Sequence, residues 1–143
     1  HFRLAADRGA QMGLPEMDLG SVPAWGGSAR LPRAVGRTHA LDMILRGLKI
    51  DGEHAYRIGL VSELVPMAEL KARAQALGEE IAAQPRQAVK SMLDVVVGFE
   101  TKTLAESLAD EGAAVTASRG SANSLEGMQA FMEKRKPVFN QDL

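Results

Sequence analysis

Apolar residues recur every three to four positions through most of the second half of the chain. This spacing predicts helices that each bury one face. Four such stripes follow Pro66, and Pro85 separates the first predicted helix from the second. The stripes are Leu70, Ala74, Leu77 and Ile81; Val89, Met92, Leu93, Val96 and Val97; Leu104, Leu108 and Val115; and Leu125, Met128, Phe131 and Met132.

The last of these helices is predicted to begin near Asn123. Glu126 follows three residues later, so the pair resembles a capping box with asparagine in place of serine or threonine. The helix ends in the cations Lys134, Arg135 and Lys136. Cations at this end complement the helix dipole, and they can also contact an anion such as a phosphate.

The first 65 residues alternate between short apolar runs and turn residues. Residues 2–6 and 60–65 are predicted strands, and residues 11–16 form a further short extended piece. Asp51 is predicted to cap a short helix that ends at Gly59.

Two further helical segments are predicted between these pieces. The first covers residues 27–35, is interrupted by Pro32 and is stopped by Gly36. The second follows Thr38, a plausible N-cap. Its apolar residues have the spacing of one buried helix face and are Leu41, Ile44, Leu45 and Leu48.

The change of character along the chain predicts two parts, residues 1–65 and 66–143. The second part needs partner surface for its apolar stripes, and the small first part offers little. We therefore expect the helical part to associate with other subunits.

The composition excludes several functions. Seventeen basic and eighteen acidic residues give a net charge of −1, without the basic surplus of nucleic-acid-binding proteins. There is no cysteine, which excludes disulfides, thiol nucleophiles and zinc–thiolate sites. No apolar run approaches the length of a membrane span. The three histidines show no metal-site spacing, so we expect no metal. No export or membrane signal is visible in the sequence, so we expect a cytoplasmic location.

The first candidate catalytic residue lies in LPEMDLGSVPAWGG, residues 14–27. Glu16 follows Pro15, whose ring fixes the backbone of what is predicted to be a stiff extended segment. One interpretation of Glu16 is a solvated loop carboxylate. The other is a positioned general acid or base.

The same stretch ends in Ala24-Trp25-Gly26-Gly27. Glycines ahead of a helix can present backbone N–H groups to an anion or a polarised oxygen. A tight turn alone would also explain them. Trp25, the only tryptophan, is predicted to lie either in the core or against a substrate.

Four segments resemble the C-terminal half of the enoyl-CoA hydratase/isomerase family, the crotonases. They are FRLAAD, MGLPEMDLGSVPAWGGSARLPRAVG, IGLVSELVP and EGMQAFMEKRKPVF, and they follow the family order along essentially the whole chain. The resemblance implies an α/β fold. Residues 1–65 would form the end of a spiral of ββα turns, and residues 66–143 a helical region that builds trimers, often paired into hexamers.

The resemblance also implies chemistry on acyl-CoA thioesters, through an enolate whose oxygen two backbone N–H groups hold. We expect hydration of a trans-2-enoyl-CoA in fatty acid metabolism, with no cofactor apart from the coenzyme A of the substrate. A Δ3,Δ2-enoyl-CoA isomerase, a hydrolase and a C–C lyase are alternatives within the family. A non-catalytic oligomerisation module is an alternative of another class.

Five residues match family positions. Glu16 matches the glutamate that supplies or removes the proton at Cα. Ala24 matches a position, usually glycine, whose N–H helps to hold the catalytic water. Trp25 replaces the alanine of the common Gly-Ala-Gly-Gly. Phe131 and Lys134 match positions that reach the coenzyme A of a neighbouring subunit.

The resemblance implies that the rest of the family machinery lies upstream of His1. That machinery comprises the two oxyanion-hole N–H groups and the first glutamate. We therefore expect the 143-residue chain by itself to lack hydratase activity.

Overall fold

The computed structural model describes residues 1–141, which form two short strands and six α-helices joined by loops and short 3-10 helices. The elements are β1, Leu4–Ala6; α1, Gly27–Leu45; α2, Gly52–Arg57; β2, Glu63–Val65; α3, Leu70–Ala82; α4, Arg86–Gly98; α5, Leu104–Ser118; and α6, Ala122–Glu133. The chain divides into two compact units, His1–Gln75 and the part from Ala76 onward. The predicted division after residue 65 rests on the change of sequence pattern there and on the family resemblance, and it stays a prediction.

The first unit contains both strands, which pair in parallel with Ala5 opposite Leu64. The two predicted strands are therefore confirmed, although each is three residues long. Beyond the ladder, the N–H of Ser62 donates to the carbonyl of Arg3 at 2.7 Å, so the pairing continues as irregular backbone.

The short helix α2 begins and ends where the sequence predicted. The Asp51 carboxylate accepts a hydrogen bond from the N–H of His54 at 2.8 Å, and the helix ends just before Gly59. Gly52 is buried against β1, since a Cβ placed there would lie 2.5 Å from the carbonyl oxygen of Ala6. This close approach requires glycine.

Helix α1 contains one break, at Gly36, whose φ of 78° and ψ of 159° are not helical. The prediction that Gly36 stops a helix is confirmed. The predicted interruption at Pro32 is wrong, because the helix runs through it. A proline near a helix start removes one backbone hydrogen bond, and the surrounding packing of Leu31 and Val35 maintains the helix.

The buried face after Gly36 differs in part from the prediction, since Ile44 and Leu48 are half-buried against the core as predicted, whereas Leu41 and Leu45 are not. Ala40 and Met43 are buried, whereas Leu41 and Leu45 are 47% and 59% exposed. The buried pair and the exposed pair both have helical spacing, so periodicity by itself does not predict which of them is buried. The core of the first unit comprises Ala5, Leu31, Val35, Ala40, Met43, Ile50, Ala55 and Val61.

The second unit is helical, as predicted, and Pro85 precedes α4. Its apolar stripes are largely uncovered, with Leu104 76% and Phe131 81% exposed. Among the described hydrophobic residues of this unit, only Ala130 is fully buried. Helices α4 and α5 contact each other and still leave Val96 and Leu108 exposed.

The N-terminus of α6 differs from the prediction. The predicted box of Asn123 and Glu126 is wrong, because α6 begins at Ala122 and the Ser121 hydroxyl accepts the Ser124 N–H at 3.1 Å. Serine is among the preferred N-caps, and here it stands two residues before Asn123. A capping box occurs instead at Thr103, before α5.

Candidate active site

Glu16 lies on a 3-10 helix that spans Pro15–Leu19. The predicted extended conformation is wrong at this residue, because the φ of proline also suits the first turn of a helix. The helix ends at Gly20, whose N–H donates to the Met17 carbonyl at 3.0 Å. Glu16 therefore sits in the first turn of a short, proline-started helix.

One carboxylate oxygen of Glu16, Oε2, is buried and has no hydrogen-bond partner among the described residues. The residue as a whole is half-buried. A buried carboxylate oxygen without a donor is costly, because it has lost its water without replacement. This oxygen is not the fully solvated group of the loop interpretation.

The glycine turn at the start of α1 has an unusual backbone. Trp25 has a φ of 52° and Gly26 a φ of 86°, both in the left-handed region. The N–H of Gly27 donates to the Ala24 carbonyl at 3.0 Å and closes the turn. The indole of Trp25 is 96% exposed, so the core interpretation of this residue is wrong.

The turn and the segment before Glu16 pack together. A Cβ placed on Gly27 would lie 3.4 Å from Cδ1 of Leu14 and 3.3 Å from Cβ of Pro23. The Ser21 N–H also donates to the Glu16 carbonyl at 3.0 Å. The first unit thus brings Glu16, Ala24 and Trp25 into one region of the fold.

An apolar cavity of about 340 Å³ borders the same region. Leu14 and Gly27 line it, together with Met12 and Leu31, but Glu16 does not. The cavity shares residues with the glycine turn but does not include Glu16, so it does not by itself define a substrate site.

Phe131 and Lys134, the two candidate residues of the second unit, lie at the end of α6. The Lys134 N–H donates to the Phe131 carbonyl at 3.2 Å, and the Arg135 N–H donates to the Ala130 carbonyl at 3.0 Å. This is the Schellman pattern, with lysine in the left-handed position that glycine usually takes. Lys134 has a φ of 56°.

The cations after α6 are not equivalent. Arg135 donates to Glu126 and Glu133, whereas Lys134 and Lys136 form no ion pair within residues 1–141. Hydrogen bonds from Arg135 and from the Val138 N–H lower the pKa of Glu126 to about 2. Nothing in the sequence identified this pairing, because nine residues separate its partners and no helical spacing connects them.

Neither a metal site nor a membrane span is present in the described part of the chain. Within residues 1–141, no group of three or more histidine and acidic side chains is placed to hold a metal ion. No helix of this part has the length and apolar character needed to cross a bilayer.

Comparison with known proteins places this geometry in a family. The family model described as enoyl-CoA hydratase/isomerase matches residues 2–142. A probable enoyl-CoA hydratase of Mycobacterium leprae is 40% identical over 136 residues, which cover 95% of this chain and 52% of the relative. An enoyl-CoA isomerase/hydratase of Zymoseptoria tritici is 37% identical over 97% of this chain and 47% of its own length.

The fold agrees with these matches. The crystal structure of an enoyl-CoA hydratase from Bacillus anthracis has a TM-score of 0.89 and 35% identity, over 96% of this chain and 53% of that one. The chain thus spans about half the length of the relatives that it matches. The described part is the end of a crotonase-type core followed by helices, and the chain belongs to the enoyl-CoA hydratase/isomerase family.

Proposed function

We propose that this chain is part of an enzyme that hydrates a trans-2-enoyl-CoA to a 3-hydroxyacyl-CoA. The observation that carries the proposal is the buried Oε2 of Glu16, which bonds to nothing among residues 1–141. A buried carboxyl oxygen that lacks a protein partner often has a catalytic role, and we propose that in the complete enzyme it exchanges a proton with the bound substrate. The relatives named enoyl-CoA hydratase support the same reaction.

In the proposed reaction, the oxygen of water bonds to C3 of the enoyl thioester, and electrons move onto the thioester oxygen as an enolate. A second carboxylate takes the proton of the water. Glu16 then gives its proton to C2, which completes the addition. The Ala24 N–H, which donates no hydrogen bond within residues 1–141, would hold the water.

Trp25, Phe131 and Lys134 are the proposed substrate-binding residues. The exposed indole of Trp25 would contact the acyl group, and the Phe131 ring would contact the coenzyme. The unpaired ammonium of Lys134 would bind a phosphate of coenzyme A, since ammonium–phosphate bonds are charge-assisted. We place this coenzyme on a neighbouring copy of the chain in a homotrimer or hexamer, in the cytoplasm.

The uncovered apolar faces of the second unit support this assembly. Large contiguous apolar surfaces on soluble proteins usually mark interaction sites. If the chain were only an oligomerisation module, it would assemble without binding coenzyme A. Mass measurement by light scattering, together with a titration of coenzyme A, separates the two proposals.

A Δ3,Δ2-enoyl-CoA isomerase is the second candidate, and the fungal relative named isomerase/hydratase favours it. In that reaction the Glu16 carboxylate would remove a proton from C2 of a 3-enoyl thioester and return it to C4. No water enters, so Glu16 could serve without a second carboxylate.

Glu16→Gln in the complete polypeptide tests both reactions. Loss of a general acid or base should lower kcat by roughly 10²–10⁴-fold. Crotonyl-CoA measures hydration, through loss of the conjugated thioester absorbance, and trans-3-hexenoyl-CoA measures isomerisation. Release of free coenzyme A would instead indicate a hydrolase.

Asp18→Asn is the matched control, because it removes an equal charge from the same 3-10 helix. It should leave kcat unchanged. An unchanged kcat in Glu16→Gln would reduce Glu16 to a structural residue.

A further inference from the structure

We propose that Arg30 is a positioning residue that fixes the backbone of Trp25, and with it the direction in which the Trp25 side chain leaves the turn at the acyl end of the site. The contact between the indole and the substrate rests on the proposed function. The interaction of Arg30 with the backbone of Trp25 is a property of the fold and does not depend on that proposal.

The backbone at Trp25 needs an external constraint. A bulky side chain is disfavoured at positive φ, because its Cβ crowds the neighbouring carbonyl oxygen. Such a conformation persists only where the surrounding contacts determine it, and it is frequent at functional sites. Packing of the side chain does not supply the constraint, because the indole is 96% exposed.

Arg30 supplies contacts to both left-handed residues of the turn. Its Nη2 donates to the carbonyl of Trp25 at 2.9 Å. The backbone N–H of Arg30 also donates to the carbonyl of Gly26 at 2.8 Å, but this is the first helical bond of α1 and does not depend on the side chain. The guanidinium lies directly against Gly26, since a Cβ there would be only 2.6 Å from Nη1. A side chain at position 26 would therefore displace the guanidinium from its present place, and the φ of 86° already favours glycine there.

These contacts set the direction in which the Trp25 side chain leaves the backbone. The Trp25 carbonyl is held by Arg30, and the Ala24 carbonyl is held by the Gly27 N–H. With both neighbouring peptide planes fixed, the Cα–Cβ bond of Trp25 points in one direction. Without the guanidinium, the peptide after Trp25 can rotate and relieve the positive φ.

An indole that leaves the turn in one direction suits the proposed substrate. The 2-enoyl thioester is planar and conjugated, and planar groups stack favourably on aromatic faces. The adjacent Ala24 N–H, proposed to hold the water, belongs to the same turn. Arg30 would act through Trp25, because its guanidinium is already engaged with the turn.

The chain contains a built-in probe, since Trp25 is its only tryptophan. Time-resolved fluorescence anisotropy therefore reports the motion of this indole alone. We expect faster local depolarisation in Arg30→Met and an intermediate rate in Arg30→Lys, which keeps the charge but not the forked geometry. Arg37→Met removes an exposed charge beyond Gly36 and should match the wild type. Equal depolarisation in Arg30→Met and wild type would overturn the proposal.

The functional part is tested in the complete polypeptide with crotonyl-CoA. Arg30→Met should raise KM roughly threefold to tenfold, the effect of one aromatic contact, with a smaller change in kcat. In a Trp25→Ala background, Arg30→Met should have no further effect. A further rise in KM there would mean that Arg30 contacts the substrate directly, and would overturn its positioning role.

The two proposals fail separately. If Trp25→Ala leaves KM unchanged while Arg30→Met still mobilises the indole, the proposed substrate role of Trp25 is wrong. The proposal that Arg30 constrains the backbone of Trp25 then still stands. Circular dichroism melting of each variant identifies any that fail to fold, and the Arg30→Lys variant then supplies the comparison.

Discussion

Arg135 and Glu126 form a bidentate ion pair beside the end of α6. Nη1 of Arg135 lies 2.6 Å from Oε1 of Glu126, and Nη2 lies 2.9 Å from Oε2. Oε1 also accepts the N–H of Val138 at 2.8 Å, and Nε of Arg135 donates to Glu133 at 2.6 Å. The pair holds the segment after the helix against α6, around the left-handed Lys134.

The ion pair predicts an acid-dependent loss of stability. The pKa of Glu126 falls from its ordinary 4.5 to about 2, through hydrogen bonds from Arg135 and from the Val138 N–H. A carboxyl with a depressed folded-state pKa stabilises the fold above its unfolded pKa and loses that contribution as the pH falls through the folded one. Stability should therefore decline between pH 4.5 and about 2.

Glu126→Gln isolates this contribution, because the pKa values of Glu133 and Glu106 are lowered too. We expect the variant to be less stable than wild type at neutral pH, and the difference to vanish near pH 2. Urea unfolding across this pH range measures it. A difference that stays constant down to pH 2 would contradict the role of the ion pair.

Asn140 ties the end of the second unit to two other segments. Its N–H donates to Oδ1 of Asn123 at 2.7 Å, its Oδ1 accepts the Arg86 N–H at 3.1 Å, and its Nδ2 donates to the Gln84 carbonyl at 2.9 Å. It therefore caps α4 from a distance, since Pro85 has no capping side chain.

We expect Asn140→Gly to lower the free energy of unfolding by about 2 kcal/mol. The side chain loses several hydrogen bonds worth about 1 kcal/mol each, and water replaces part of them. Asn140→Ala should cost about 1 kcal/mol more, because the φ of 61° favours glycine. Urea denaturation of both variants checks this order. Equal stabilities would show that the backbone relaxes at this position.

Lys134 allows charge and backbone conformation to be separated. Lys134→Gly should stabilise the chain by up to about 1 kcal/mol, because glycine is unstrained at positive φ. Lys134→Ala should bring no such gain. Both variants lack the ammonium and should lose the same coenzyme A affinity, about tenfold at most. Titration calorimetry measures the affinity in the complete polypeptide, and equal binding by wild type and both variants would exclude Lys134 as a phosphate ligand.

Two glycines should respond oppositely to alanine. Gly52→Ala should destabilise the first unit by about 2–3 kcal/mol, because its Cβ would clash with the Ala6 carbonyl. Gly78→Ala should stabilise α3 by about 0.8–1 kcal/mol, because the position is helical and open. Thermal unfolding compares the two. A tolerated Gly52→Ala would show that α2 and β1 can move apart.

Local signals in the sequence predicted elements well and faces poorly. Asp51 and Gly59 bracketed α2, because a cap and a helix stop act on neighbouring backbone. Leu41 and Leu45 were assigned to the core and are exposed, whereas Met43 is buried. Which apolar row of a helix is buried depends on what the fold places beside it, and spacing does not contain that information.

The sequence by itself determined the family, the helical second half and the identity of the candidate residues, because these depend on residue types in a fixed order. Only the tertiary structure decided that Oε2 of Glu16 is buried without a partner and that Arg30 holds the turn at Trp25. It also decided that Arg135 forms an ion pair with Glu126, whereas Lys134 forms none within residues 1–141. Burial, pairing and backbone strain are properties of neighbours in space, and the chain brings those neighbours together only when it folds.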